Sequence, residues 1–165
     1  MTSWNIANGV MSLKKKLDTG KENLDKLHKN VLGQLMNFIE FMLKTNFYRS
    51  NKIALSFRLN PEYLNHVPFD RKVVFPVLPY AIFYMKGLCF FGFHIRFKDL
   101  ARGGLRTVIP KRKEFSKIER NEVFMENYSL ALTQQKKNKD IPEGGAKGVI
   151  FLESTSAIDM EIEVY

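Results

Sequence analysis

Two glycine pairs, Gly103-Gly104 and Gly144-Gly145, each stand beside a cation: Arg102 directly before the first, Lys147 two residues after the second. Glycine lets backbone N–H groups approach a ligand closely, and an adjacent positive side chain adds charge, so both turns suit an anion. A carboxylate held there would receive charge-assisted hydrogen bonds, roughly twice as strong as neutral ones. Arg106, Lys136, Lys137 and Lys139 lie near these turns in the chain and complete a strongly positive set. Lys147, flanked by Gly144, Gly145 and Gly148, has no bulky neighbours. Desolvation and surrounding cations disfavour an ammonium, so a lysine in such a pocket can act as a general base near neutral pH; a solvated lysine on a mobile surface loop is the plainer alternative.

Other chemistries fit less well. A phosphate-binding Walker loop needs Gly directly before its lysine and Ser or Thr after it, whereas Ala146 and Gly148 flank Lys147. Gly145-Ala146-Lys147-Gly148 matches the loose GXXG of a KH domain, and Phe91-Gly92-Phe93 matches part of an RNA-binding RNP1 strand, with His94 where valine is wanted. These keep a second reading open: a non-catalytic basic module binding RNA or another polyanion through Lys136, Lys137, Lys139 and Lys147. His28, His66 and His94 lie far apart without metal-ligand spacing, so no metal is expected. No G-x-G-x-x-G stretch is present, and no cofactor-binding residue is assigned.

The elements that must hold these residues read as alternating strands and helices. Leu24, Leu27, Val31, Leu35, Phe38, Ile39 and Met42 fall at helical spacing, predicting an amphipathic helix from Asn23 to Thr45, packed on its own domain or on a partner subunit. Ile53, Leu55, Phe57 and Leu59 alternate with small or basic residues as one half-buried strand, and Lys72–Phe75 reads as another. Phe91, Phe93, Ile95 and Phe97 alternate with Gly92, His94, Arg96 and Lys98, which predicts a core strand with a basic second face. Leu105–Ile109 is a short strand stopped by Pro110. A helix capped near Ser116 or Asn121 runs to about Lys139, Pro142–Gly148 is a loop with unusual dihedrals, and Val149–Leu152 is a buried strand. The fold expected is α/β, a mixed sheet flanked by helices.

Composition bounds the rest. The chain has 165 residues and a formal charge of +9, from 26 Lys plus Arg against 17 Asp plus Glu. At 45% hydrophobic and 13% aromatic it is too apolar for a disordered polyelectrolyte. Cys89 is the sole cysteine, which excludes an intrachain disulfide and points to a reducing compartment. The apolar stretch from Val73 to Phe93 approaches the length of a membrane span, but Lys86, Pro76, Pro79, Gly87 and Gly92 interrupt it, so it reads as two buried strands and no membrane partner is expected. Residues 1–22, with Lys14-Lys15-Lys16, read as a flexible N-terminal segment, 23–152 as the folded unit, and 153–165, where the charge turns acidic, as a truncated or divergent tail.

Taken together, Gly92-Phe93-His94-Ile95-Arg96-Phe97-Lys98-Asp99-Leu100-Ala101-Arg102-Gly103-Gly104-Leu105-Arg106, Glu126-Asn127-Tyr128 and Thr133 to Gly148 closely resemble the large NAD-specific glutamate dehydrogenases of lower eukaryotes. Lys44-Thr45-Asn46-Phe47 and Ala54–Leu59 add to the likeness, which covers about residues 30 to 152. The resemblance implies the substrate-binding, dimerisation-type domain of an amino-acid dehydrogenase, acting on L-glutamate and 2-oxoglutarate with NAD, which a separate domain absent from this chain would bind. It implies Lys147 as the catalytic lysine and Arg102, Lys137, Gly103, Gly104, Gly144 and Gly145 as substrate-binding, with Lys136 close behind Lys137 as the third cation. Arg102 stands where many relatives have lysine in a Lys-Gly-Gly-Leu-Arg motif. It also implies a homo-oligomer at full length, no nucleic-acid partner, and cytoplasmic or mitochondrial residence. The family's catalytic aspartate lies several tens of residues beyond the lysine loop, and Glu153–Tyr165 does not resemble its Pro-Ala-x-Asp pattern. The chain is therefore expected to be a fragment or a truncated gene model, inactive alone.

Overall fold

The computed structural model describes residues 26–110 and 113–153. Residues 1–25, which include the predicted N-terminal segment and the predicted helix start at Asn23 with Leu24, the residues after Glu153, and Lys111-Arg112 lie outside the described residues. The strands are β1 (Met42–Thr45), β2 (Leu55–Leu59), β3 (Ala81–Lys86), β4 (Phe90–Arg96), β5 (Ala101–Arg102), β6 (Leu105–Val108) and β7 (Gly144–Leu152). The helices are α1 (Lys26–Glu40), the single turn α2 (Arg71–Val74) and α3 (Lys113–Lys136), with a 3-10 segment at Pro61–His66. All seven strands form one sheet in the order β1-β2-β3-β4-β7-β5, with β6 also paired to β7. Pairing is antiparallel from β1 through β7; β5 and β6 lie parallel to β7, so the sheet is mixed and the fold is α/β, as expected.

Period-two alternation sends one set of strand side chains toward the helices. Leu59, Ile82 and Ile95 pack there with Phe75, Tyr128 and Ala131, while Phe91, Val149 and Phe151 enclose Val123 of α3. The Tyr128 hydroxyl donates to the Val77 carbonyl (2.8 Å) and accepts from the Val77 N–H (3.0 Å), tying α3 to the loop before β3. Burial raises the Tyr128 phenol above its ordinary pKa. The other set lines a groove of ≈ 440 Å³ that includes Ser56, Arg58, Phe83, His94 and Arg96, which realises the basic second face of the core strand.

Several elements differ from the sequence reading. The first helix stops at Glu40, because Met42–Thr45 pairs with β2, Met42 opposite Leu59. Its stripe is only partly used: Met36, outside the predicted series, is buried, whereas Val31 and Leu35 are exposed. Ile53 is 96% exposed, outside a strand that starts at Leu55. Lys72–Phe75 is not a strand: the Asp70 carboxylate accepts the Lys72 N–H (2.9 Å) and caps the α2 turn, which swings Phe75 into the core. Ser116 lies inside α3 rather than at its cap, and α3 ends at Lys136 rather than Lys139.

His94 provides a test of the open face. Burial, then the charge of Arg96, holds its imidazole pKa below the ordinary value. The unfolded chain therefore takes up the proton first as pH falls through the ordinary histidine range, so stability present above about pH 6.5 is lost toward the lower, folded-state pKa. Urea unfolding of the chain should show a lower midpoint at about pH 5.5 than at about pH 7.5, and His94→Gln should flatten that difference. An identical pH response in the variant would mean that His94 is not the titrating group.

Candidate active site

The second glycine turn is not a loop. Gly144–Leu152 is β7, paired with β4 on one side and with β5 and β6 on the other. Its glycines are there for close approach. A Cβ on Gly145 would lie 2.2 Å from the Gln135 nitrogen and 2.5 Å from the Ala131 carbonyl oxygen, so α3 rests directly on the strand backbone. The Gly145 N–H, in turn, is received by the Gln135 side-chain oxygen at 2.7 Å. Lys147 is thus fixed at a paired position of an interior strand, which overturns the mobile-loop alternative.

The first glycine turn is brought against this strand. Ala101 and Arg102 pair in parallel with Gly144 and Gly145. The Gly144 N–H donates to Leu100 O (2.8 Å) and the Gly148 N–H to Gly104 O (3.1 Å). Between these bonds, Gly103 passes so near Ala146 that a Cβ would sit 1.5 Å from its carbonyl oxygen. A Cβ on Gly104 would lie 3.4 Å from the Lys147 Nζ, so the amine rests over that glycine. The two turns therefore converge, and the lysine amine lies at their meeting point. Among the described residues no carboxylate pairs with it.

Arg102 projects outward, its side chain 72% exposed, with its Nε 2.8 Å from Glu143 Oε1. Lys139 reaches the same oxygen at 3.6 Å and donates to Gly144 O at 3.4 Å. Arg106 pairs with Glu126 of α3 at 3.1 Å. Lys136 and Lys137 are exposed at and just beyond the end of α3, and the residues drawn to the glycine strand from this region are Gln135 and Lys139. The helix turn decides this: Gln135 lies on the face that meets β7, and the chain then leaves the helix and returns toward the strand at Lys139. Asn127 also escaped the sequence reading. It is fully buried, its amide oxygen and nitrogen without partners, on the α3 face between Val123 and Ala131. Ala131 touches Gly145 and Val123 packs with Val149, so Asn127 lies level with Lys147. A polar residue in the i, i+4 series Val123, Asn127, Ala131 was the signal for it.

Comparison with known proteins decides the family. A family profile described as bacterial NAD-glutamate dehydrogenase, catalytic domain, matches residues 12–163. The chain belongs to that family. It is 48% identical over 122 residues to the NAD-specific glutamate dehydrogenase of Saccharomyces cerevisiae, covering 74% of this chain and 11% of that protein. It is 50% identical over 116 residues to the Neurospora crassa NAD-specific glutamate dehydrogenase, covering 70% of this chain and 10% of that protein. Glutamate dehydrogenase 2 of Dictyostelium discoideum is 41% identical over 138 residues, 84% of this chain and 13% of that protein. The chain spans about a tenth of the length of the curated relatives it matches.

Within this glutamate dehydrogenase segment, the described residues do not fit a dinucleotide. They hold no strand–glycine turn–helix unit, and the glycines of β7 are covered, Gly145 by the α3 backbone, Gly144 by the Lys98 side chain and Gly148 by that of Leu105. The aromatics of the RNP1-like stretch face the helical layer, Phe91 buried and Phe93 packed against the same cluster, so they are not displayed for stacking bases. The GXXG match lies in a strand, not in a loop. Among the described residues no three His, Cys, Asp or Glu side chains are placed to hold a metal, and no helix is long and apolar enough to cross a membrane. A larger cleft of ≈ 730 Å³ between α1 and α3 is lined mainly by apolar residues such as Leu35, Phe38 and Phe124, and includes none of Arg102, Lys139 or Lys147.

Proposed function

We propose that this chain supplies the substrate-binding part of an NAD-dependent glutamate dehydrogenase, which converts L-glutamate, water and NAD to 2-oxoglutarate, ammonia and NADH. Alone it is inactive, because the residues that bind the nicotinamide belong elsewhere in the longer, homo-oligomeric enzyme. The observation that carries this reading is the position of the Lys147 amine over Gly104, where the two glycine turns meet. In the proposed pocket Arg102 grips a substrate carboxylate beside the paired turns. In this reading Lys147 takes a proton from water while the water oxygen bonds to the imino carbon of 2-iminoglutarate and the C=N electron pair moves to nitrogen; the lysine then passes that proton to the nitrogen, which leaves as ammonia as the new hydroxyl loses its proton and the 2-oxo group forms. Lys137, read from the resemblance as the third substrate cation, would have to reach the pocket from the exposed end of α3; Lys139 and Gln135 already adjoin it.

The decisive experiment is Arg102→Ala in a full-length enzyme carrying this segment. Losing a charge-assisted carboxylate contact should raise the KM for glutamate by about 10- to 100-fold with a smaller change in kcat. An unchanged KM would remove Arg102 from the pocket.

A further inference from the structure

Arg102, Glu143 and Lys139 form a cluster whose parts are unequal in exposure. The Glu143 side chain is 12% exposed and that of Lys139 is 13%, whereas Arg102 stands 72% in solvent. A carboxylate so far withdrawn from water needs a positive partner, and Lys139, equally withdrawn and anchored on the Gly144 carbonyl, provides one. Arg102 is therefore surplus to neutralising Glu143, and the three groups together keep one net positive charge. Contact with Arg102 is made through Nε, the inner nitrogen of the guanidinium. The pairing is coulombic rather than an aligned hydrogen bond.

A guanidinium held at Nε still has its outer fork of two nitrogens, the edge that matches a carboxylate bidentately. A lysine in the same place would bring one nitrogen, whose donors Glu143 and a ligand would share, and no flat two-nitrogen edge to match a carboxylate. We propose that Glu143 is a positioning residue, holding Arg102 from behind so that its outer fork faces a substrate carboxylate at the turn where Lys147 lies. This rests on the substrate-binding reading of Arg102 and adds to it the residue that aims the side chain. Lys139 is integral to the device, because without it the buried carboxylate would repel the anion that Arg102 is meant to receive.

The test is a set of variants in a full-length enzyme carrying this segment, assayed for glutamate oxidation. Glu143→Gln, which keeps the shape and removes the charge, should raise the KM for glutamate about tenfold with kcat within about twofold. Glu143→Asp, one methylene shorter, should fall between it and the parent, and serves if Glu143→Gln folds poorly. In an Arg102→Ala background Glu143→Gln should add nothing, since the two act as one unit. Arg102→Lys should raise KM, though less than Arg102→Ala does, and adding Glu143→Gln should restore part of the affinity by relieving the ammonium of its competing partner. A lower KM in Glu143→Gln would overturn the proposal by making Glu143 a competitor of the substrate, and an unchanged KM would overturn it outright. An equal effect in both backgrounds would assign Glu143 to some other contact, also against it. If Arg102→Ala itself leaves KM unchanged, the substrate-binding reading fails; if only the Glu143 effects are missing, the reading stands and the positioning role falls.

Discussion

Lys147→Ala in a full-length enzyme carrying this segment is expected to lower kcat by about 10²- to 10⁴-fold, the range general acid–base groups contribute. The fold should survive the change. Position 147 pairs with Ile95 of β4 and its strand neighbours pair on the other side of β7, and the side chain makes no ion pair with a described carboxylate, so truncation removes chemistry and not structure. Lys147→Arg should be as inactive as the alanine variant even though it keeps the positive charge, because a guanidinium does not give up its proton in a protein. That pair of variants separates a proton-transfer role from simple charge attraction: a base fails in both, whereas a mere anion anchor survives as arginine. Single-turnover kinetics with saturating glutamate would report the chemical step, and near-normal turnover in either variant would remove Lys147 from it.

Gly145→Ala should destabilise the chain by about 3 kcal/mol, measured by urea unfolding, and Gly103→Ala by a comparable amount. In both cases the new methyl meets backbone, which cannot rotate away: the Gln135 nitrogen at 2.2 Å for Gly145, the Ala146 oxygen at 1.5 Å for Gly103. Accommodating the first means lifting α3 from β7 and opening the cluster of Val123, Val149 and Phe151; the second means parting the two glycine turns. Gly33→Ala is the control with opposite sign. Nothing lies within 4 Å of a Cβ built there, and its helical position should gain up to about 1 kcal/mol from the better helix former. Equal effects at positions 33 and 145 would mean that β7 and α3 are not in the close contact described.

Much of the architecture was legible because it depends on neighbours in the chain. Alternation at Leu55, Phe57 and Leu59 and at Phe91, Phe93 and Ile95 marks β2 and β4 with the correct face inward, and the apolar spacing of Phe124, Tyr128, Ala131 and Leu132 marks α3. The glycine pairs and their cations, Arg102 and Lys147, were equally visible. Where the reading failed, contacts outside the periodic pattern decided the outcome. Met42–Thr45 carries a helical pattern yet pairs with β2, and Lys72–Phe75 carries a strand pattern yet is turned by the Asp70 cap and by burial of Phe75 beneath α3.

The site divides along the same line. Residue types alone determined that this protein carries a cation beside each of two glycine turns, because type and spacing are local properties. Only the tertiary structure decided that Gly144–Gly148 is an interior strand, that Glu143 joins Arg102 to Lys139, and that Gln135 rather than Lys137 meets the strand. Those outcomes rest on which backbones come within hydrogen-bonding reach across the sheet and against α3, and linear order does not encode that distance.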